Sequence, residues 1–295
     1  MRVLVTGSDG FIGHHLCRML RELNDEVYTF DIASGLDLRD RDQVQASLRG
    51  FEPERVFHLG AMAGIYQSFR DPEKCFKTNV LGTFNLIESI RVLDLDAWVI
   101  FSSSSSVYGN IEAPQSPEFR YDPSSVYPAS KAMDELLLLA YHRSYGIPVV
   151  ILRYFNVYGP LSEVYRPSTV IPRFMMQVSR GEPPTIIGDG EQTRDFTYVD
   201  DTVRATIEAG RRREVVGEVL NIGTGVAHSI NEVARKVLDV FGSDLEPVHV
   251  PERPYVEPRH ICADTSKTEK VLGFRAEIGL DEGLRMYYDQ SFAKR

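Results

Sequence analysis

The chain has 295 residues, of which 43% are hydrophobic and 25% are charged, a composition typical of a globular protein with a large core. Its net charge of -9 argues against a nucleic-acid-binding protein, because such binding needs clustered lysine and arginine against phosphates. Neither a signal peptide nor an apolar run of about 18 residues is found. We therefore expect a cytoplasmic protein with no nucleic-acid partner and no membrane partner.

In the first half, short β-branched runs alternate with longer helical patterns. The runs cover residues 2–6, 26–30, 55–59, 98–103 and 149–154, and this alternation predicts a parallel, doubly wound sheet. After Tyr154 the pattern loosens into proline- and glycine-rich loops between shorter elements. We predict an α/β protein with a Rossmann-type domain over residues 1–153 and a smaller, mainly substrate-binding α/β domain over 154–295, some segments of which return to the first domain.

The first predicted strand leads into the segment GSDGFIG, with glycines at positions 7, 10 and 13. Gly7, Gly10 and Gly13 permit a tight turn and close approach of the backbone to a pyrophosphate, and the helix that follows offers free N–H groups. Asp31 lies 18 residues further on, at the end of the second strand, where a carboxylate can bind the adenosine ribose and repel a 2'-phosphate. The pattern predicts an NAD site. A lone glycine-rich turn would lack this context.

A tyrosine and a lysine follow the serine-rich end of the fourth strand, in the segment YPASK. A helix that begins near Ser124 or Ser125 places Tyr127 and Lys131 one turn apart on the same face. The nearby ammonium and an oxidised nicotinamide would both favour the phenolate of Tyr127. Such a tyrosine can take the proton of a sugar hydroxyl as hydride leaves the same carbon. The spacing alone is also compatible with a surface helix.

Three cysteines, at positions 17, 75 and 262, are far apart and show no CxxC spacing. Neither a disulfide framework nor a metal site is expected from them, and packing roles are favoured.

Many ordered segments resemble the extended short-chain dehydrogenase/reductases of the nucleotide-sugar epimerase and dehydratase type. The matching segments are VTGSDGFIG, DLRD, HLGAMAG, NVLGT, FSSSSSVYG, YPASK, RYFNVYGP, GDGEQTRDFTYVDD, NIGTG and ADTSKTEKVLGF. They extend over nearly the whole chain. The resemblance implies an NAD-dependent enzyme that acts on a nucleotide-diphosphate sugar, most simply a UDP-sugar, and that forms a homodimer through helices near residues 78–93 and 127–145.

The same resemblance implies roles for individual residues. The implied cofactor-binding residues are Gly7, Gly10, Phe11, Ile12, Gly13, Asp31, Asp37, Leu38, Leu59, Ala61, Ala63, Asn79, Ser102, Tyr127, Lys131, Tyr154 and Phe155. The implied catalytic residues are Ser104, Tyr127 and Lys131. The implied substrate-binding residues are Ser104, Ser105, Tyr127, Asn156, Arg194 and Arg253.

Alternatives stay open for the three residues of the second half. Asn156 can cap a loop, and Arg194 can pair with Asp189 or Asp195. The segment around Arg253 is longer than the usual turn of the family, so Arg259 can take its place. Arginine is nonetheless the side chain suited to bind a diphosphate in an acidic protein.

The acid and base groups that each reaction needs distinguish the possible reactions. A 4,6-dehydratase of this family has an Asp-Glu pair just before VYG, where this chain has Ser105 and Ser106, and a serine hydroxyl is no carboxylic acid at neutral pH. We therefore predict an isomerase, a 4-epimerase of a UDP-hexose such as UDP-glucose and UDP-galactose. A UDP-glucuronate 4-epimerase or decarboxylase, a dehydratase, a reductase and a non-catalytic NAD- or nucleotide-sugar-binding protein are the alternatives. Arg166 or Arg173 could hold a sugar carboxylate, but surface solvation is the favoured role for either, so neither decides the sugar.

Overall fold

The computed structural model describes residues 1–251 and 258–293. The strands are β1 Arg2–Thr6, β2 Glu26–Phe30, β3 Arg55–His58, β4 Trp98–Ser104, β5 Val149–Tyr154, β6 Val157–Tyr158, β7 Thr185–Ile187, β8 Thr193–Asp195, β9 Thr197–Tyr198, β10 Val219–Ile222, β11 Ala227–Ser229 and β12 Val248–Val250. The five predicted strands of the first half correspond to β1–β5 within one residue at each end.

The helices connect and cover these strands. They are α1 Phe11–Glu22, α2 Arg41–Phe51, α3 Ile65–Arg70, α4 Pro72–Phe76, α5 Gly82–Val92, α6 Val126–Tyr145, α7 Ser162–Tyr165, α8 Val170–Ser179, α9 Val199–Ala209, α10 Ile230–Phe241, α11 Ser266–Leu272 and α12 Leu280–Ser291. A π-helical turn, Lys77–Leu81, joins α4 to α5. None of the helices in the described ranges has both the length and the apolar character needed to cross a bilayer.

One six-stranded parallel sheet, in the order β10-β5-β4-β3-β1-β2, forms the centre of the molecule. Its side chains alternate between two cores. Val3 and Val5 belong to the core that includes α1 and α9, whereas Leu4 faces the core that includes α2 and α5. Apolar residues on both faces are what a sheet covered by helices on both sides requires. The predicted α/β doubly wound fold is confirmed.

The second half both completes the sheet and adds small units of its own. Strand β10 pairs in parallel with β5, so this part of the chain returns to the central sheet. The additional units are the two-stranded pairs β8 with β11, β7 with β12 and β6 with β9. Helix α10 packs against α8 and α12. Residues 154–295 therefore contribute to the central sheet as well as to the smaller units. The predicted boundary near residue 153 separates two parts of the sequence, whereas in the structure segments from beyond it return to the first part.

The carboxyl ends of the central strands meet at one edge of the sheet. In the strand register Thr6 lies opposite His58, and Ser104 lies opposite Tyr154. In open α/β sheets this edge is where ligands bind. The glycine-rich turn, the serine run and the tyrosine-containing helix all begin there.

Candidate active site

The turn between β1 and α1 is so tight that only glycine fits at positions 7 and 13. Gly7 has φ +70°, and a Cβ atom there would lie 2.7 Å from the Gly60 amide nitrogen, while one at Gly13 would collide with the Gly7 carbonyl oxygen. Helix α1 begins after Gly10, which supplies no side-chain cap to its first amides. A narrow backbone cradle beside uncapped amides fits a dinucleotide pyrophosphate.

Asp31 is the carboxylate at the end of β2. It accepts hydrogen bonds from the amides of Asp9 (3.1 Å) and Ala33 (2.9 Å), which fix its orientation next to the glycine turn. Asp9 in turn accepts a bond from the Ser34 hydroxyl at 2.8 Å. This is the position from which a carboxylate reaches an adenosine ribose.

Replacing Asp31 with asparagine should change which cofactor binds. Asp31→Asn keeps an acceptor of the same shape but removes the charge that repels a 2'-phosphate, so we expect the preference for NAD over NADP to fall by about tenfold or more. Calorimetric titration of both dinucleotides measures the ratio. The matched control is Asp42→Asn on the surface helix α2, which should leave the ratio unchanged. An unchanged ratio in Asp31→Asn would contradict the role given to Asp31.

Asp37 already has a partner within the protein. Its carboxylate accepts from the Arg39 Nε at 2.9 Å and from the Arg39 backbone amide at 2.9 Å. The hydrogen bonds from Arg39 lower the pKa of Asp37. Its neighbour Leu38 is buried, and its carbonyl accepts from Asn85 at 2.9 Å. The predicted adenine-binding role of Asp37 and Leu38 stays a prediction.

Asn79 lies in the π-helical turn and joins two segments of the predicted cofactor wall through hydrogen bonds. Its Oδ1 accepts from the Met62 amide at 2.8 Å, and its Nδ2 donates to the Ser130 hydroxyl of α6 at 2.8 Å. Ser130 in turn donates to the Tyr127 carbonyl. Irregular π turns of this kind occur often at functional sites. Of the other predicted wall residues, Phe11 is buried, Ile12, Leu59 and Ala61 are half-buried and Ala63 is exposed.

The catalytic candidates come together at the end of β4. Tyr127 and Lys131 occupy successive turns of α6, and the Ser104 hydroxyl lies near enough to the Tyr127 phenol to oppose the rise in its pKa that burial causes. The Ser104 hydroxyl also accepts from the Ser106 hydroxyl at 2.9 Å. The Lys131 ammonium donates to the Ser102 carbonyl at 2.8 Å, and the Ser102 hydroxyl donates to the His58 carbonyl at 3.2 Å.

The start of α6 differs from the predicted one in its cap. The helix begins at Val126 with Ser125 at the cap position, but Ser125 makes no capping bond and its buried hydroxyl has no partner in the described part of the chain. The Ser68 hydroxyl of α3 accepts from the Tyr127 amide at 3.2 Å. A tertiary contact therefore replaces the local cap, since either acceptor satisfies a first-turn amide.

A further charge that favours the Tyr127 phenolate comes from Arg166. Burial raises the pKa of Tyr127, and the positive charge of Arg166 and the nearby Ser104 hydroxyl oppose that rise. We assigned this role to the Lys131 ammonium and an oxidised nicotinamide; the ammonium donates to the Ser102 carbonyl, and its effect on Tyr127 stays a prediction. Arg166 ends the short helix α7 in the second half of the chain. Only the folded structure shows that it lies near Tyr127.

A buried ion pair between β5 and α6 contacts the serine run of β4. Arg153 of β5 and Glu135 of α6 are joined at 2.7 Å, with 2% and 0% of their side chains exposed. Glu135 also accepts hydrogen bonds from Ser103 and from Tyr121, and the Arg153 guanidinium lies over the Tyr108 ring at 4.8 Å. We did not predict this pair. The arginine inside the otherwise apolar run VVILRY was a usable signal, since a buried charge needs a partner.

Two further predicted cofactor residues are buried against other elements. The Tyr154 hydroxyl is hydrogen-bonded to Thr206 of α9 at 2.7 Å, and Phe155 packs against Tyr108 with ring centroids 6.2 Å apart. Their predicted contact with the cofactor stays a prediction.

The substrate-binding candidates of the second half lie around β8. The Asn156 side chain donates to the Asp195 carbonyl at 3.3 Å. The Arg194 guanidinium donates to the carbonyls of Thr193 and Arg259, at 2.8 and 3.2 Å. Asp189 pairs with Arg259 at 2.5 Å. Arg253 lies outside the described residues.

Asp195, which we considered only as a partner for Arg194, organises the neighbouring loops. It is fully buried and accepts from the amides of Thr224, Gly225 and Ala263 at 2.9 to 3.1 Å. Burial raises its pKa, and these bonds oppose the rise. One carboxylate thus holds the NIGTG and ADTSK segments beside β8.

The fold and site together define a dinucleotide-dependent enzyme of the Rossmann type whose tyrosine and lysine lie on one helix. The model of the NAD dependent epimerase/dehydratase family matches residues 3–223. The chain belongs to this family, and the predicted family and NAD dependence are confirmed.

Individual relatives cover nearly the whole chain. A putative UDP-glucose 4-epimerase of Methanocaldococcus jannaschii is 35% identical over 96% of both chains. The structure is similar to that of UDP-glucose 4-epimerase from Thermotoga maritima with UDP-glucose, with a TM-score of 0.93 and 34% identity over 98% of both chains. It is also similar to the Thermus thermophilus UDP-glucose 4-epimerase complexed with NAD, with a TM-score of 0.90 and 33% identity over 98% of both chains.

Relatives at comparable identity have different named activities. Chains 32 to 33% identical are named as a UDP-N-acetyl-alpha-D-glucosaminuronate decarboxylase, a UDP-glucuronate 4-epimerase and a probable dTDP-glucose 4,6-dehydratase. The similarity therefore establishes an NAD-dependent enzyme of the epimerase/dehydratase type. The reaction must be argued from the site.

Proposed function

We propose that this protein is an NAD-dependent 4-epimerase of a UDP-hexose. The observation that carries the proposal is that Tyr127 lies beside Ser104 at the end of β4, with a serine at each of the next two positions. Dehydration at carbons 5 and 6 needs an additional acid and base, and hydroxyls do not supply them at neutral pH. Epimerisation needs only the groups present.

The chain's own residues have distinct roles in this reaction. The Ser104 hydroxyl orients the 4-hydroxyl of the sugar, and Tyr127 takes its proton, which leaves a ketone at carbon 4. Bound NAD supplies the hydride acceptor and donor for that carbon. Tyr127 then returns the proton to the oxygen of the turned sugar. Lys131 holds the nicotinamide ribose, and Asn156 and Arg194, with Arg253 or Arg259, hold the diphosphate.

Convergence from both sides tests the reaction. With no added reductant, UDP-glucose and UDP-galactose incubated separately should reach the same final ratio of the two sugars. Proton NMR of the anomeric signals measures that ratio. A different product, or a reaction that runs from one sugar only, would contradict epimerisation of this pair.

UDP-glucuronate is a second candidate substrate because of Arg166. Its charge acts on Tyr127, the side chain is half-buried, and no acidic partner is found for it within residues 1–251 and 258–293. A half-buried cation near the reacting carbon is stabilised by a carboxylate. Carbon 6 of a hexuronate carries one, adjacent to the ring carbons that react.

Replacing Arg166 should distinguish the two sugars. If a hexuronate binds there, Arg166→Leu should lower kcat/KM for UDP-glucuronate by about 100-fold and change that for UDP-glucose by less than about fivefold. Steady-state kinetics with both sugars measure this, with Arg180→Leu on the surface as the control. Equal losses for both sugars would instead indicate that Arg166 acts only through Tyr127.

We also propose that two copies associate through α5 and α6. Leu81, Val92, Met133 and Leu136 are exposed on or beside these helices, whereas Leu138 of α6 is buried in the core. Exposed apolar side chains on neighbouring helices favour an interface. Sedimentation should find a dimer, and a monomer at micromolar concentration would contradict the assembly. We retain cytoplasmic location as part of the proposal.

A further inference from the structure

Asp134 is a fully buried acid on α6, one turn beyond Lys131. Within the described part of the structure, neither of its carboxylate oxygens has a hydrogen-bond partner. Burial raises its pKa, and the charge of Lys131 and the Thr83 hydroxyl oppose the rise. Burying an ionised carboxylate without a nearby cation or hydroxyl costs free energy. Lys131 and Thr83 are therefore the groups that favour the ionised form of Asp134.

A row of hydrogen bonds leads from the glycine cradle towards this acid. The Gly60 amide donates to Thr6 Oγ1 at 3.0 Å, Thr6 Oγ1 is 2.7 Å from His58 Nδ1, and His58 Nε2 is 2.9 Å from Thr83 Oγ1. Burial lowers the pKa of His58 to about 3. The ring is therefore neutral and carries a single N–H.

Thr6 Oγ1 accepts from the Gly60 amide, and the neutral His58 ring joins the hydroxyls of Thr6 and Thr83. The row ends at Thr83, whose hydroxyl opposes the rise in the pKa of Asp134 without a hydrogen bond to its carboxylate. A hydroxyl near a carboxylate favours its ionised form.

Lys131 is a buried cation whose hydrogen-bond and ring contacts are uncharged. Its side chain is 3% exposed, and its ammonium contacts the Ser102 carbonyl at 2.8 Å and the Phe101 ring at 4.5 Å from the centroid. Neither partner carries a full charge. Burial lowers the pKa of Lys131, and Asp134 is the first of the groups that oppose the fall.

The other titratable groups around this pair are already engaged or neutral. Glu135 on the same helix is joined to Arg153 of β5. Cys75 of α4 has a pKa raised by burial, so its thiol is uncharged at neutral pH. His58 of β3 is neutral, and burial raises the pKa of the Tyr127 phenol. Among the residues described, Asp134 is thus the acid whose charge is left for Lys131.

We propose that Asp134 is the buried counter-ion that keeps Lys131 protonated, with the Thr83 hydroxyl at the end of the row favouring its ionised form. Asp134 is a positioning residue, since it acts on the reaction through Lys131. The row also connects the cofactor cradle at Gly60 to Thr83 of α5.

A carboxyl titration tests the charge pair without any turnover. In protein labelled with 13C at aspartate carboxyls, the Asp134 signal is identified by its loss in Asp134→Asn. We expect Lys131→Met to raise the pH at which this signal titrates by at least about one pH unit, because the cation that favours the carboxylate is gone. The same titration in both proteins, or a carboxyl that stays protonated above about pH 9 in the native protein, would overturn the proposal.

The pH dependence of kcat gives a second reading, which rests on the proposed function. Asparagine has the shape of a protonated aspartate, so a merely structural Asp134 predicts an unmoved profile in Asp134→Asn. If Asp134 is the counter-ion, the basic limb of the kcat profile of Asp134→Asn should move to lower pH by at least about one pH unit, since Lys131 then loses its proton more easily. Thr83→Val should move it in the same direction by less, and serves if Asp134→Asn fails to fold. Asp289→Asn, a surface change, is the control.

The two readings fail separately. A protein with no epimerase activity still gives the carboxyl titration, so loss of the proposed function leaves the charge pair testable. If the native protein is active but the Asp134 titration does not shift in Lys131→Met, the charge pair is contradicted and the proposed epimerase activity is not.

Discussion

Tyr127→Phe should bind NAD and UDP-sugar normally and lose turnover by about 1000-fold or more, because a phenyl ring has no proton to exchange with the sugar hydroxyl. General acid–base groups contribute about 100- to 10,000-fold, and Tyr127 serves in both directions of the reaction. The change removes one oxygen from a side chain that is 9% exposed, so the packing of α6 should survive. Steady-state kinetics with calorimetric binding of both ligands measure the two effects separately.

The matched control is Tyr145→Phe on the same helix, where the side chain is 57% exposed. It removes the same atom far from the serine strand and should leave kcat unchanged. If Tyr127→Phe kept full activity, proton transfer by the phenol would be ruled out. If it lost ligand binding and turnover together, the hydroxyl would have a binding role instead.

The largest stability effect is expected from the buried ion pair. Arg153→Met leaves Glu135 without its cation in a site from which water is excluded, and breaking such a pair costs about 3–5 kcal/mol. The free energy of unfolding should fall by that amount, measured by chemical denaturation of the native protein and the variant. The loss should weaken the support of Ser103 and of the Tyr121 ring.

A surface pair of the same length provides the comparison. Lys236 and Asp281 are also 2.7 Å apart, but their side chains are 23% and 70% exposed. Exposed pairs contribute about 0–1 kcal/mol, so Lys236→Met should be nearly neutral. Equal losses in the two variants would show that burial is not what makes the Arg153–Glu135 pair important.

Local patterns were enough to predict the framework of the protein. The alternation of strands and helices, the glycine spacing and the Tyr127–Lys131 spacing all lie within short segments, where backbone geometry and side-chain period decide the outcome. The structure accordingly reproduces β1–β5 and places both side chains on one face of α6.

Contacts between distant segments could not be predicted in the same way. Arg166 acts on Tyr127 from 39 positions away in sequence, and Ser68 of α3 satisfies the first turn of α6 in place of the expected cap. The row from Gly60 to Thr83 requires side chains from β1, β3 and α5 to meet. Such meetings depend on how elements pack, and single residues leave no periodic signal of them. Arg153 was the exception, since its charge interrupts an apolar strand.

The central claim is that the enzyme inverts carbon 4 of a UDP-sugar, and one measurement tests it most directly. Purified protein is incubated separately with UDP-galactose, UDP-N-acetylglucosamine and UDP-glucuronate, with NAD and without reductant, and the anomeric protons are followed by NMR. We expect the carbon-4 epimer of at least one of the three sugars, and none from Tyr127→Phe. A 4-keto, unsaturated or pentose product, or no turnover in any tube, would contradict the 4-epimerase.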